Sequence, residues 1–257
     1  MLNGYKLIAV CLTKIQDEIT YEFIDALYQA VKGSDYRLLL FNSFSDLYHQ
    51  NVYDEGAKSI YQLLNYDLVD AVIIKADTLN DQQVIRDLIA RAKERQIPVI
   101  LLNMKAEGCY SIVPSYENVL SQLIEHVIKV HHKRKLYFLS GSMGESNSML
   151  REKIFRETLR DCGIDPQTAK VAYGEYWYGP AERAVENWIQ SGDLPEAIIC
   201  ANDAMAVAAC KVLKRHQIRV PEDMIVTGFD GVPSYQFHRP ALSTCTRTSS
   251  VLAGKCR

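Results

Sequence analysis

Residues 199–203 read Ile-Cys-Ala-Asn-Asp, and residues 225–230 read Ile-Val-Thr-Gly-Phe-Asp. Each is an apolar run that stops abruptly in polar groups, and a helical pattern separates the two. A short apolar run with such a stop reads as a strand buried in a parallel sheet. In an open α/β sheet, ligands bind just beyond the carboxyl ends of parallel strands. Asn202, Asp203 and Asp230 therefore stand where a small polar ligand would be held. An amide donates and accepts, and a carboxylate accepts twice, so the group suits hydroxyls.

The same unit repeats outward from this stretch. In the first half, strand-like Leu7–Cys11, Leu38–Phe41, Val69–Ile74, Val99–Leu102 and Ser111–Val113 alternate with helical patterns. One carries Phe23, Ile24, Leu27, Tyr28 and Val31; another carries Val84, Ile85, Leu88, Ile89 and Ala92; a weaker one covers Asp54–Leu64. In the second half, Leu136–Leu139, Lys170–Tyr173, Ala197–Cys200 and Met224–Phe229 alternate with four more. These are the Val119–Ile128 pattern, Arg151–Cys162 stopped by Gly163, a helix opened by Pro180, and Asp203–His216. Apolar recurrence at helical spacing between strands apolar on both faces implies parallel sheets covered by helices. About ten strands in two groups imply two Rossmann-like α/β lobes joined by a hinge. The crossings are expected near Pro114–Ser115 and Thr246–Arg247. That divides the chain into a first lobe, 1–114 plus 247–257, and a second, 115–246.

At 257 residues and 48% hydrophobic content, the chain can build two such cores. A net charge of −2 excludes the strong basic bias of a nucleic-acid surface. The seven cysteines are scattered without a Cys-x-x-Cys pair and read as free thiols of a reducing compartment. No charged leader precedes a long apolar stretch, and no window reaches the length of a membrane span. The expectation is a cytoplasmic, soluble chain without metal or cofactor. No Gly-x-Gly-x-x-Gly or Gly-x-Ser-x-Gly occurs, and Gly141-Ser142-Met143-Gly144 lacks the Lys-Ser/Thr of a phosphate loop. An enzyme is not expected.

Four segments in order then meet a known pattern: Cys200-Ala-Asn-Asp-Ala-Met-Ala206, Arg219-Val-Pro-Glu-Asp223, Val226-Thr-Gly-Phe-Asp230 and Arg239-Pro-Ala-Leu-Ser-Thr244. The chain resembles the effector-binding domain of the LacI/GalR (lactose- and galactose-repressor) family, of type I periplasmic-binding-protein fold. The resemblance runs from about Tyr5 to the end, and Ile97-Pro-Val-Ile100, Ser148-x-x-Arg151 and Gly174-Glu-Tyr-Trp177 fit the same frame. There are departures. No helix-turn-helix precedes the first strand, and Ser115-Tyr116 stands where the family usually has Asp-Asn. His131-His-Lys-Arg-Lys135 replaces the usual turn glycine, and the sequence stops at Arg257 before the family's last elements. These features resemble the N-terminal sensors of bacterial GGDEF (diguanylate cyclase) proteins.

The resemblance implies a non-catalytic sensor that closes on a small polar ligand, a sugar, nucleoside or small acid. It also implies a homodimer and a fused output domain beyond Arg257, with a diguanylate cyclase favoured. A LacI-type repressor without its DNA-binding domain, or a solute-binding protein for a sugar transporter, are the alternatives. Direct nucleic-acid or membrane contact by this chain is not expected. The candidate ligand residues are Arg151, Asn202, Asp230, Tyr176, Trp177, Asn103 and Arg247. Each has a plainer reading. Asn202 and Asp230 are also good helix caps, and capping is the first reading of Asp203. Arg151 opens the expected helix, an unfavourable end for a cation, so it either forks onto a ligand or is solvated or ion-paired. One of Tyr176 and Trp177 packs in the core while the other offers a flat wall. Arg151 and Arg247 together favour a carboxylate or phosphate, unless Asp230 neutralises one. The run His131–Lys135 reads as a solvated helix end.

Overall fold

The computed structural model describes residues 4–45, 47, 52–79, 81–113 and 117–245. They fall into two compact units, one on either side of residues 114–116. The crossings at Pro114–Ser115 and Thr246–Arg247, and residues 247–257, lie outside the described residues.

In the first unit the strands are β1 (Lys6–Thr13), β2 (Tyr36–Ser43), β3 (Ala71–Lys75), β4 (Val99–Leu102) and β5 (Tyr110–Ile112). They form one parallel sheet in the order β2-β1-β3-β4-β5. Helices α1 (Glu18–Val31), α2 (Val52–Gln62) and α3 (Gln82–Glu94) make its crossovers. Of the apolar sets predicted for α1 and α3, Phe23 and Leu27 in α1 and Ile85, Leu88, Ile89 and Ala92 in α3 are buried, whereas Tyr28 is half exposed. Strand β2 departs from expectation. It lies at the sheet edge, and Leu39 and Leu40 are 37% and 41% exposed.

The second unit holds β6 (Leu136–Ser140), β7 (Val171–Tyr173), β8 (Ala197–Cys200) and β9 (Ile225–Thr227), all parallel, in the order β7-β6-β8-β9. Around them lie α4 (Glu117–Lys129), α5 (Ser146–Asp161), α6 (Tyr178–Gln190) and α7 (Asp203–Arg215). Every residue of β6 and β8 is buried, as a strand covered on both faces requires. Phe138 of β6 stacks on Phe155 of α5 at 5.0 Å between ring centroids, and Tyr137 meets Trp188 of α6 edge-on at 5.2 Å. Beyond β9, Ser243 bridges back to Thr227.

Both sheets place an early strand between a neighbour on one side and a later strand on the other, so the crossovers reverse at β1/β3 and at β6/β8. At such a reversal the helices diverge and leave a crevice at the strands' carboxyl ends. The run His131–Lys135 is exposed apart from Lys133, as the solvated reading expects, and two of its cations also make bonds. Arg134 donates to the carbonyls of Cys162 and Gly163 that end α5, and Lys135 pairs with Asp193. Among the described residues no helix is long and apolar enough to cross a membrane.

Phe155 is fully buried against Phe138, whereas Met149, on the same helix, is 61% exposed. Phe155→Ala should destabilise the second unit by about 3–5 kcal/mol, through lost burial plus a residual cavity. Met149→Ala should stay within about 0.5 kcal/mol. Both tryptophans, Trp177 and Trp188, belong to this unit, so urea unfolding followed by tryptophan fluorescence reads it directly.

Candidate ligand site at the carboxyl ends of the second sheet

The reversal between β6 and β8 brings Arg151, Tyr176, Asn202 and Asp230 together. Strand β6 runs out at Ser140-Gly141-Ser142, and β7 at Gly174-Glu175-Tyr176. Glu175 and Tyr176 both adopt the left-handed conformation, at φ 53° and 55°. This turns Tyr176 back across the sheet edge. Its ring occupies the space above Gly141, where an added Cβ would sit 2.1 Å from the ring and 2.5 Å from Ser148 Oγ. The Tyr176 hydroxyl donates to Glu145 Oε2 at 3.1 Å and accepts from Ser148 Oγ at 3.0 Å. Burial raises its pKa well above the ordinary phenol value.

Arg151 is 6% exposed and sits in the second turn of α5. The helix begins at Ser146 on the Glu145 cap, which accepts from Asn147 N and Ser148 N. Arg151 is therefore not at an unfavourable helix start, as its sequence position suggested. The start lies earlier than the expected Arg151 because Glu145 caps the amides of Asn147 and Ser148. The guanidinium is held by other means. It donates to the carbonyl of Ala201, lies 4.4 Å from the centroid of the Phe229 ring, and reaches Asp230 Oδ1 at 3.5 Å. Asp230 thus neutralises Arg151, the ion-paired reading of this arginine. Ser148 does not stand beside Arg151 as a free ligand-reading hydroxyl, because its Oγ bonds Glu145 and Tyr176.

Asn202 takes the capping role expected first of Asp203. Asn202 is the N-cap of α7, its Oδ1 accepting from Met205 N at 2.9 Å, while its Nδ2 donates to the Tyr176 carbonyl at 3.1 Å. Asp203 does not cap. It is fully buried and accepts from Val232 N at 2.7 Å and Thr244 Oγ1 at 2.5 Å. Burial pushes its pKa up to about 6 against these donors, and Asp230 adds a second negative charge nearby. Asp230 itself sits at φ 112°, with its N–H donating to the Cys245 carbonyl at 3.0 Å.

Of the aromatic pair, Tyr176 is the built-in member. Trp177 is 63% exposed and lies edge-on to Tyr178 at 5.3 Å. Asn103 belongs to the first unit, at the carboxyl end of β4, with φ 61° and its N–H on the Ile112 carbonyl. Arg247 lies outside the described residues. The equivalent edge of the first sheet also carries buried polar groups, absent from the candidate residues named from sequence. Lys75, 4% exposed, pairs with Asp77 at 2.8 Å, and Thr13 Oγ1 donates to the Thr78 carbonyl at 2.8 Å. The signal that singles out Asn202 and Asp230, polar residues ending an apolar strand, is also present in Val-Ile-Ile-Lys75 and could have found them.

Known proteins share this architecture. A family model described as a periplasmic binding protein-like domain matches residues 124–250. The chain is similar to the HTH-type transcriptional repressor PurR of Photobacterium profundum. The two are 26% identical over 244 residues, 94% of this chain and 70% of that protein. It is also similar to the probable HTH-type transcriptional repressor ExuR of Bacillus subtilis, 25% identical over 202 residues, 76% of this chain and 59% of that protein. Among solved structures, a dimeric Lac repressor with a C-terminal deletion matches with a TM-score of 0.78 at 20% identity, covering 97% of this chain and 88% of that one. A Lac repressor dimer bound to operator and the anti-inducer ONPF matches with a TM-score of 0.77 at 19% identity, covering 98% and 84%. The fold is therefore two α/β lobes with parallel sheets, periplasmic-binding-protein-like. These relatives are named as transcriptional repressors, not enzymes. They lend no support to the diguanylate cyclase expected from the departures, and the repressor alternative fits them better.

Gly141→Ala should drive Tyr176 off its seat and cost about 1–3 kcal/mol, as overpacking does, read from fluorescence-monitored urea unfolding. Asp203 should make stability depend on pH, because its pKa in the folded chain, about 6, stands above its ordinary 3.8. Its stabilising contribution is therefore fully present below about pH 3.8 and lost as pH rises through about 6. Relative to Asp203→Asn, the wild type should lose up to about 3 kcal/mol between about pH 4 and pH 7. Equal pH dependence of the two proteins would refute this.

Proposed function

We propose that this chain is the effector-binding domain of a LacI/GalR-type transcription repressor, a non-catalytic sensor of a small polar molecule. The observation that carries the reading is the similarity to a repressor along 94% of the chain. The Lac repressor structure with operator and anti-inducer is a dimer. Carried to this chain, it implies a homodimer and an attached DNA-reading output. The ligand acts by binding one state of the chain better than the other, which is the only way it can shift an equilibrium.

Arg151, Asn202, Asp230 and Tyr176 are the residues proposed to hold it, with Trp177 at the margin and Asn103 and Arg247 as further candidates. The arrangement supports a hydroxyl-rich ligand, a sugar or nucleoside, ahead of a small acid. Arg151 offers donors and Asp230 offers acceptors at 3.5 Å from each other, so the pair has no net charge to attract an anion. Adjacent hydroxyls can accept from the guanidinium and donate to the carboxylate at once.

A thermal-shift screen of sugars, nucleosides and small carboxylates tests the reading. A ligand present at 100 times its dissociation constant should stabilise by about 2.7 kcal/mol. Arg151→Ala and Asp230→Ala should each abolish most of the shift of a confirmed hit. If both variants keep it, the site is misassigned.

A further inference from the structure

The segment that carries Asp230 leaves β9 at Gly228 and comes back beside it at Ser243–Cys245. Gly228 N donates to the Ser243 carbonyl at 2.8 Å, and Asp230 N to the Cys245 carbonyl at 3.0 Å. Between these two points, Asp203 reaches up from the first turn of α7. Its Oδ2 accepts from Val232 N, and its Oδ1 from Thr244 Oγ1. The Thr244 hydroxyl in turn accepts from Gly231 N at 3.2 Å. The Gly231–Val232 turn that follows Asp230 is thus tied, directly and through Thr244, to one buried side chain. Gly228 makes room for it: a Cβ there would fall 2.2 Å from Asp203 Oδ1. Asp230 meanwhile holds φ 112°, a conformation that L side chains rarely adopt and that surrounding structure must impose.

We propose that Asp203 is a positioning residue of the candidate site, a latch whose carboxylate fastens the Gly231–Val232 turn to Thr244 and so holds Asp230 against Arg151. The role of Asp230 in binding rests on the functional reading above; the latch itself does not. The titratable groups that bear on Asp203 are Asp230 and Cys245 on the latched segment and Cys200 on β8. The nearest cation of the site, Arg151, is paired with Asp230. Burial beside another carboxylate disfavours the ionised form, so opening the latch into water is easiest when Asp203 is charged. Protonated, Asp203 can donate to Thr244 Oγ1, which still accepts from Gly231 N.

Amide hydrogen exchange on the ligand-free chain tests this. Asp203→Asn replaces one acceptor by a donor. Thr244→Val, which removes only the hydroxyl bridge, is the second variant should Asp203→Asn fold poorly. Each should speed exchange at Asp230, Gly231 and Val232 by about tenfold, the loss of one buried hydrogen bond, with α4 and β6 unchanged. Thr244→Ser should restore protection. After correction for intrinsic rates, wild-type protection at these amides should fall as pH rises through about 6, and Asp203→Asn should show no such step. Wild-type exchange at the three amides in both Asp203→Asn and Thr244→Val would overturn the latch, as would acceleration spread evenly over the second unit. With a screened sugar or nucleoside as probe, affinity should fall about tenfold in both latch variants. An intact affinity beside accelerated exchange would overturn the role of Asp230 in binding and leave the latch standing.

Discussion

Parallel strands buried on both faces cannot be joined by tight turns, and that constraint organises this chain. The returns run through helices, except that β4 reaches β5 through residues 103–109, and because every pairing is parallel the carboxyl ends of each sheet open on one edge. Once the strand order reverses at β1/β3 and β6/β8, the helices part there and backbone groups lose their partners to either side. The chain fills the second of these openings with side chains that satisfy backbone. Arg151 takes the carbonyl of Ala201, Asn202 the carbonyl of Tyr176, and Asp203 the amide of Val232. The polar character of the site follows from the need to pair buried backbone groups.

The same constraint explains which parts of the structure are legible in sequence. A strand apolar on both faces is a strong local signal, and β4 and β8 occupy the very residues read for them. The ends of helices are weaker signals, because caps depend on which neighbour the side chain meets. The helix is expected from Arg151, yet Glu145 accepts from the amides of Asn147 and Ser148 and starts α5 at Ser146, which moves Arg151 away from the helix start. Asn202 and Asp203 both favour caps. Thr244 and Val232, residues remote in sequence, decide between them by drawing Asp203 inward. The exposure of Leu39 and Leu40 has no local signal either. The apolar run of β2 looks like a central strand until the sheet order puts it at the edge.

Close approach of backbone and side chain shapes the rest of the site. Gly141 and Gly228 lie just past β6 and β9, and each yields the volume of a side chain to a neighbour: the Tyr176 ring and the Asp203 carboxylate. Neither role can be read from the glycine itself, which in sequence signals only a turn. The positive φ values at Glu175 and Tyr176 arise in the loop after β7, and that at Asp230 in the loop after β9. Backbone strain at these positions persists because hydrogen bonds on both sides over-determine it. Strain of this kind gathers at places held ready for a partner. The four residues that the sequence singles out in this unit for ligand contact, and that the structure joins, sit among it.

The charges of the site have a consequence for how it is held. A buried pair such as Arg151 and Asp230 gains little net stability, because desolvation offsets much of the attraction. Losing one member is another matter, since the survivor is left buried and unpaired. Asp203 adds a further buried carboxylate, with its pKa up at about 6. Such a cluster would drift apart if its backbone were free to move. The short bonds from Val232 and Thr244 prevent this. Their cost in a buried charge is what keeps Asp230 within reach of Arg151 rather than turned out to solvent. On this view the sheet edge is less a pocket lined by polar residues than a set of backbone anchors, with the charged pair as their product.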